Sequence, residues 1–264
     1  MIQPHLVPFP EKGVKRRDVL AWACAGGAVL AGFAGSSAAK GEGIAVQNLA
    51  IAKETGLTGL LAEPKGAGKR AAIVVMHDLK GLNGHVKDIT HRLALAGYTV
   101  LAVDCASVRG GTSPVDFSTF SILDTVAVMR AAVAALRARP QYAGKMGAVG
   151  FGWGGTAINH LALADPTLAA VVSYYGQQPL YYLEDEYRQF RAALLHHYAG
   201  RDTLNNQGID NFCTSLSDVG KSLESYIYPN VDRAFDDESA ATYDAAAAAL
   251  AWTRSAAFLK KHLG

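Results

Sequence analysis

Cysteine is scarce in this sequence: Cys24, Cys105 and Cys213 are three among 264 residues. They lie far apart, so their spacing supports neither a disulfide framework nor a zinc site. Histidine supplies no metal-ligand spacing either, since His196 and His197 are adjacent and on a strand would face opposite sides. A charge surplus is also missing. Lys and Arg number 25 against 23 Asp and Glu. Four of those basic and two of those acidic residues precede Lys40, which leaves 21 of each sign from Lys40 onward. Such a balance carries no electrostatic footprint for nucleic acid. Long apolar runs are absent as well: the run over 21–34 is short and broken by Gly26, Gly27 and Gly32, a poor bilayer span. The expectation is therefore no metal, no nucleic-acid partner and no stable membrane anchor.

Nucleotide motifs fail on their context. Gly150, Gly152 and Gly155 spell Gly-x-Gly-x-x-Gly. The following apolar stretch, 168–175, ends in Ser-Tyr-Tyr-Gly without the acid that would hold a ribose. Lys65-Gly-Ala-Gly-Lys-Arg70 lacks the upstream glycine of a phosphate loop and the Ser or Thr after its lysine. No cofactor is expected.

Half of the residues are hydrophobic and 18% are charged, the balance of a globular chain with one sizeable core. Residues 1–39 stand apart. Lys15-Arg16-Arg17 precedes an Ala- and Gly-rich apolar run that closes on Ser36-Ser37-Ala38-Ala39. A basic segment, a short apolar segment and small residues make a cleavable export signal, and the paired arginines assign it to the twin-arginine route. The expected location is periplasmic or secreted, with residues 40–264 as the mature domain.

Within that domain, apolar runs alternate with helical periodicity. Residues 44–52 and 56–62 read as an opening antiparallel hairpin, and 71–76, 98–103, 146–151, 168–175, 192–198 and 222–228 as strands. Between them Val86, Ile89, Leu93 and Ala96 recur at helical spacing. Further helices are expected over 117–139, from the elbow glycines toward Leu163, over 209–220 and over 240–262. The last of these should turn Ala247, Leu250, Ala251 and Phe258 inward. Strands alternating with helices predict an α/β fold with a mostly parallel central sheet flanked by helices.

The chain is organised around Met146 to Asn159, where an apolar run enters a glycine-dense turn and leaves as a helix. Gly150-Phe-Gly-Trp-Gly154 is the frame of a nucleophile elbow, with Gly152 in the nucleophile's position. Ligands of a parallel sheet bind beyond the carboxyl ends of its strands, which draws in the stretches 77–83, 198–206 and 228–237. On residue type alone, Asp78 and Asp202 serve as turn or helix caps and Arg233 as a loop charge.

Taken together and in order, these stretches resemble the dienelactone hydrolase (carboxymethylenebutenolidase) family, in its exported subgroup. His77-Asp-Leu-Lys-Gly-Leu-Asn-Gly-His85, Val149-Gly-Phe-Gly-Trp-Gly-Gly155, Tyr198-Ala-Gly-Arg-Asp202 and Tyr228-Pro-Asn-Val-Asp-Arg-Ala-Phe235 carry the resemblance. So do Tyr243-Asp-Ala-Ala and Ala251-Trp-Thr-Arg254. The resemblance implies an α/β-hydrolase fold and a Cys-His-Asp triad that opens lactones. It implies Asp202 as the triad acid and the backbone N–H groups of Leu79 and Trp153 as oxyanion donors. The departures fall on the chemistry: Gly152 stands in the cysteine slot, Arg233 in the histidine slot, and Asp78 where the family has glutamate. Glycine cannot attack, and arginine, with a pKa above about 12, cannot act as a base near neutrality.

The sequence thus predicts a catalytically impaired family member that keeps a pocket for a small lactone, ester or carboxylate. The alternative is an active hydrolase of lactones or carboxylic esters using displaced groups, with Ser173, Cys105 and His77 as candidates. For the export signal, replacing Arg16 and Arg17 by Lys is expected to retain the chain in the cytoplasm. Fractionation and immunoblotting would check this, and undiminished periplasmic recovery would count against the signal.

Overall fold

The computed structural model describes residues 43–109, 120–179, 184–221 and 223–264. The export segment expected over 1–39, and residues 117–119 of the helix expected at 117–139, lie outside them. The elements are β1 (Ile44–Ala52), β2 (Leu57–Pro64), β3 (Arg70–Met76), α1 (Gly84–Leu95), β4 (Thr99–Asp104) and a 3-10 turn (Cys105–Arg109). Next come α2 (Ile122–Arg137), β5 (Tyr142–Phe151), α3 (Trp153–Ala164), β6 (Ala170–Tyr174) and α4 (Glu184–Tyr187). The described chain ends with β7 (Ala193–Ala199), α5 (Thr203–Asn206), α6 (Ile209–Asp218), β8 (Leu223–Tyr228) and α7 (Ala245–Leu263).

The strands form one sheet in the order β1-β2-β4-β3-β5-β6-β7-β8. β2 runs antiparallel to both β1 and β4, and the remaining neighbours are parallel. The continuous apolar runs follow from burial on both faces. Along β3, Ala72, Val74 and Met76 pack under α2 and α3, in a core that α6 extends. Ala71, Ile73 and Val75 face α1 and α7. His196 and His197 obey the same alternation, His196 stacking on Phe212 of α6 and His197 meeting Tyr174 on the other face.

Two helix starts differ from expectation. Ser121 and Asp124 cap α2 reciprocally, the Ser121 hydroxyl accepting the Asp124 N–H and the Asp124 carboxylate accepting the Ser121 N–H, each at 3.1 Å. This capping box sets the start at Ile122. At the other end, Asp244 accepts the Ala247 N–H at 2.8 Å and caps α7, so the helix begins at Ala245 and not at 240. Ala247, Ala251 and Phe258 are buried, but Leu250 is 45% exposed. At about 100° per residue it lies roughly 60° to one side of the stripe those three define.

Register brings the carboxyl ends of the central strands together. Gly150 lies beside Met76 on one side and Ser173 on the other, and Ser173 beside His196. The elbow glycines are sterically required there. A Cβ on Gly154 would sit 2.4 Å from the carbonyl oxygens of Met76 and His77, and one on Gly150 would sit 2.4 Å from the Gly154 carbonyl oxygen. Helix α3 can leave β5 this tightly only because neither residue has a side chain.

Candidate functional site

Gly152 joins β5 to α3 with φ +51° and ψ −114°, a backbone shape that L side chains rarely adopt. Its N–H donates to the Tyr174 carbonyl at 2.9 Å, and its carbonyl accepts the Thr156 N–H at 3.0 Å. A Cβ at Gly152 would meet three groups: Arg233 Nη2 at 3.1 Å, Asp78 Cβ at 3.3 Å and Tyr175 Cε2 at 3.7 Å. Three of the four sequence-predicted positions therefore converge on one point, and the guanidinium borders the space a nucleophile's side chain would enter.

The fourth is joined through Arg233, whose Nε lies 3.5 Å from Asp202 Oδ2. The arginine side chain is 48% exposed and the aspartate 10%, so the pair has one wet partner and contributes about 1 kcal/mol at most. Asp202 is also the cap of α5, accepting the Asn205 backbone N–H at 3.3 Å and its side-chain amide at 2.5 Å. Backbone bonds from Gly200 to Tyr228 (2.8 Å) and from Arg201 to Val231 (3.0 Å) fasten the Asp202 turn to the segment leading to Arg233. That segment is tied at its own backbone by the Thr242 hydroxyl, which donates to the Arg233 carbonyl at 2.7 Å.

Asp78 follows β3 and holds its own turn, with Oδ1 accepting the Lys80 N–H at 2.8 Å and its carbonyl accepting the Gly81 N–H at 3.1 Å. Its capping role and its place beside Gly152 hold at once. Leu79 is the next residue in that turn and is half exposed. Trp153 opens α3, at the electropositive end of a 12-residue helix.

The displaced candidates lie elsewhere. His77 is fully buried, with Nδ1 at 2.7 Å from the Asp78 carbonyl oxygen and Nε2 accepting the Cys105 N–H at 3.2 Å. The acceptor role of Nε2 places the proton on Nδ1, and burial lowers the ring's pKa. The Cys105 thiol is buried and in no disulfide, and burial pushes its pKa far above the usual range. Ser173 is 1% exposed and packs against the elbow from below, its hydroxyl close to Gly155 and Gly176. Among the described residues, no group of three or more His, Cys, Asp or Glu is placed to hold a metal ion.

Sequence reasoning passed over Tyr175 and Asp236. Tyr175 walls the elbow with φ +40° and donates its hydroxyl to Asp236 Oδ1 at 2.8 Å. Its position just past the carboxyl end of β6 was the available signal. Asp236, three residues after Arg233, carried none beyond proximity.

The 3.1 Å approach of Arg233 to the Gly152 Cβ position couples the two sites. Gly152→Ala is expected to cost about 1–3 kcal/mol through its backbone conformation. Part of any additional contact cost should vanish in an Arg233→Ala background, giving a non-zero interaction energy above about 0.5 kcal/mol. Urea unfolding of the two single variants and the double variant measures it, and strict additivity would contradict the packing described.

Comparison with known proteins fits this geometry. The dienelactone hydrolase family matches residues 57–263. A Bradyrhizobium protein named "Probable 2-oxo-3-(5-oxofuran-2-ylidene)propanoate lactonase" is 29% identical over 221 residues, covering 77% of this chain and 88% of that one. Among solved structures, a dienelactone hydrolase-like promiscuous phosphotriesterase from metagenomic libraries superposes with TM-score 0.74 at 22% identity, covering 84% of this chain and 100% of the other. The dienelactone hydrolase from Anabaena variabilis gives TM-score 0.66 at 19% identity, over 84% of this chain and 100% of that one. These two likenesses bear on the fold, that of the α/β hydrolases. By its matched length and its sheet, the chain belongs to the dienelactone hydrolase family.

Proposed function

We propose that this protein is a catalytically impaired dienelactone hydrolase-family member that uses the elbow pocket to bind a small carboxylate, lactone or ester. The observation that carries this reading is the Arg233 guanidinium, 3.1 Å from the Cβ position of a glycine in the nucleophile's slot. Acyl transfer needs an electron pair at that slot and a base to take its proton. Glycine supplies no side chain, and a guanidinium stays protonated. It does supply a planar, charged donor suited to a carboxylate. The N-terminal end of α3 and the backbone of Leu79 and Trp153 add partial positive charge nearby.

Burial of His77, Cys105 and Ser173 weighs against displaced catalysis, because a nucleophile held several ångströms from the elbow loses most of the advantage of orientation. Export through the twin-arginine route belongs to the same proposal and would place the binder outside the cytoplasm.

If Gly152 and Arg233 are the principal missing parts, Gly152→Cys with Arg233→His should create measurable hydrolysis of a lactone or activated ester. Each single change should fall far short, because triad members act as a unit. Adding Asp78→Glu should raise the rate further. Initial rates with p-nitrophenyl acetate and thiol labelling of the new cysteine provide the readout. A folded triple variant with an inert elbow thiol would overturn the lapsed-enzyme part of the proposal.

A further inference from the structure

Two ion pairs clasp the segment bearing Arg233 to the turn bearing Asp78 and to the start of α1. Lys80 Nζ lies 3.1 Å from Asp237 Oδ2, and His85 Nε2 lies 3.3 Å from Asp236 Oδ2. The second pair is nearly buried, its side chains 10% and 6% exposed. The other oxygen of Asp236 accepts the Tyr175 hydroxyl at 2.8 Å. The Tyr175 ring in turn stands 3.7 Å from the Gly152 Cβ position. His85 also meets Phe151, the residue before Gly152, edge to face at 4.9 Å. An unbroken line of contacts therefore runs from the first turn of α1 through Asp236 and Tyr175 to the elbow.

We propose that His85 is a pH-responsive positioning residue: its imidazolium holds Asp236, and through Asp236 both Tyr175 and the 229–244 segment, in the arrangement that shapes the elbow pocket. This rests on the reading of that pocket as the functional site. His85 faces Asp236 and Asp237 from the segment after β8, Asp78 from the turn after β3, and the uncharged Phe151 ring of β5. Lys80 offsets Asp237. On the far side of Asp236, Arg92, Glu238 and Tyr174 line a cavity. The Tyr175 hydroxyl, buried and beside Asp236, is held well above the usual tyrosine range and stays protonated.

Burial alone would lower the His85 pKa, but contact with Asp236 and the charges of Asp236, Asp237 and Asp78 outweigh it and raise it above the usual value. The sign follows from that direction. The stabilisation is fully present below the unfolded value of about 6.5 and is lost as pH rises through the higher folded value. The clasp thus tightens toward acid and loosens toward alkali.

Hydrogen–deuterium exchange of the ligand-free mature protein tests this at about pH 6 and about pH 9, with rates corrected for the intrinsic pH dependence of exchange. In the wild type, peptides covering 229–244 should lose protection several-fold between the two. His85→Gln should exchange fast at both, with no step. Asp236→Asn keeps an acceptor for Tyr175 while removing the charge, so it should abolish the step and lower the His85 pKa read from its ring-proton NMR shifts. Lys80→Gln should loosen the segment at both pH values and keep the step. A wild type without the step, or a step retained in both His85→Gln and Asp236→Asn, would overturn the proposal. Should His85→Gln fail to fold, the Asp236→Asn arm alone decides. No ligand is present in this experiment, so its failure is distinct from a failure of the pocket to bind carboxylates.

Discussion

Arg233 reaches over Gly152 while pairing with Asp202, and the arrangement around the elbow depends on that contact. Gly152 accepts a positive φ and leaves room above its Cα; the guanidinium borders that room. A side chain at 152 would strain the backbone and press on the arginine together. Without the arginine, the Asp202 carboxylate would keep its capping bonds to Asn205. Two residues that look independent in sequence are therefore one packing solution. Under the proposed function, it turns a site built around an attacking group into one built around a fixed positive charge.

The frame around this solution is stiff. Gly150 and Gly154 admit no Cβ, so α3 leaves the sheet at one place and in one direction. The segments around the elbow are different in kind. The Asp202 turn and the Arg233 segment are joined by backbone bonds, whereas the Asp78 turn meets the segment after Arg233 through Lys80–Asp237 and α1 meets it through His85–Asp236. Backbone bonds do not respond to pH across the physiological range, whereas a histidine pair does. Under the proposals above, where the site can be tuned is set by which contacts carry titratable charge.

Much of the fold was legible because doubly buried strands must be continuous apolar runs, and β3, β4 and β5 have that form. The opening antiparallel pair and the opposite facing of His196 and His197 follow from local rules as well. Helix limits were less legible. The alanines after 240 favour helix, yet the Asp244 cap starts α7 at Ala245, and Leu250 lies beside the buried stripe. At the site, the strand ends and the motif spacing pointed to Gly152, Asp78, Asp202 and Arg233. The line from Tyr175 through Asp236 to His85 was not legible, since it joins β6, the segment after β8 and α1 through single contacts between residues far apart in the chain.

The central claim, that Arg233 makes this elbow a carboxylate site, is tested most directly by isothermal titration calorimetry with benzoate on the wild type and on Arg233→Ala. The account predicts saturable binding by the wild type and at least about a tenfold loss in the variant, about 1.4 kcal/mol. Equal affinity in the two proteins, or no binding to the folded wild type, would contradict it.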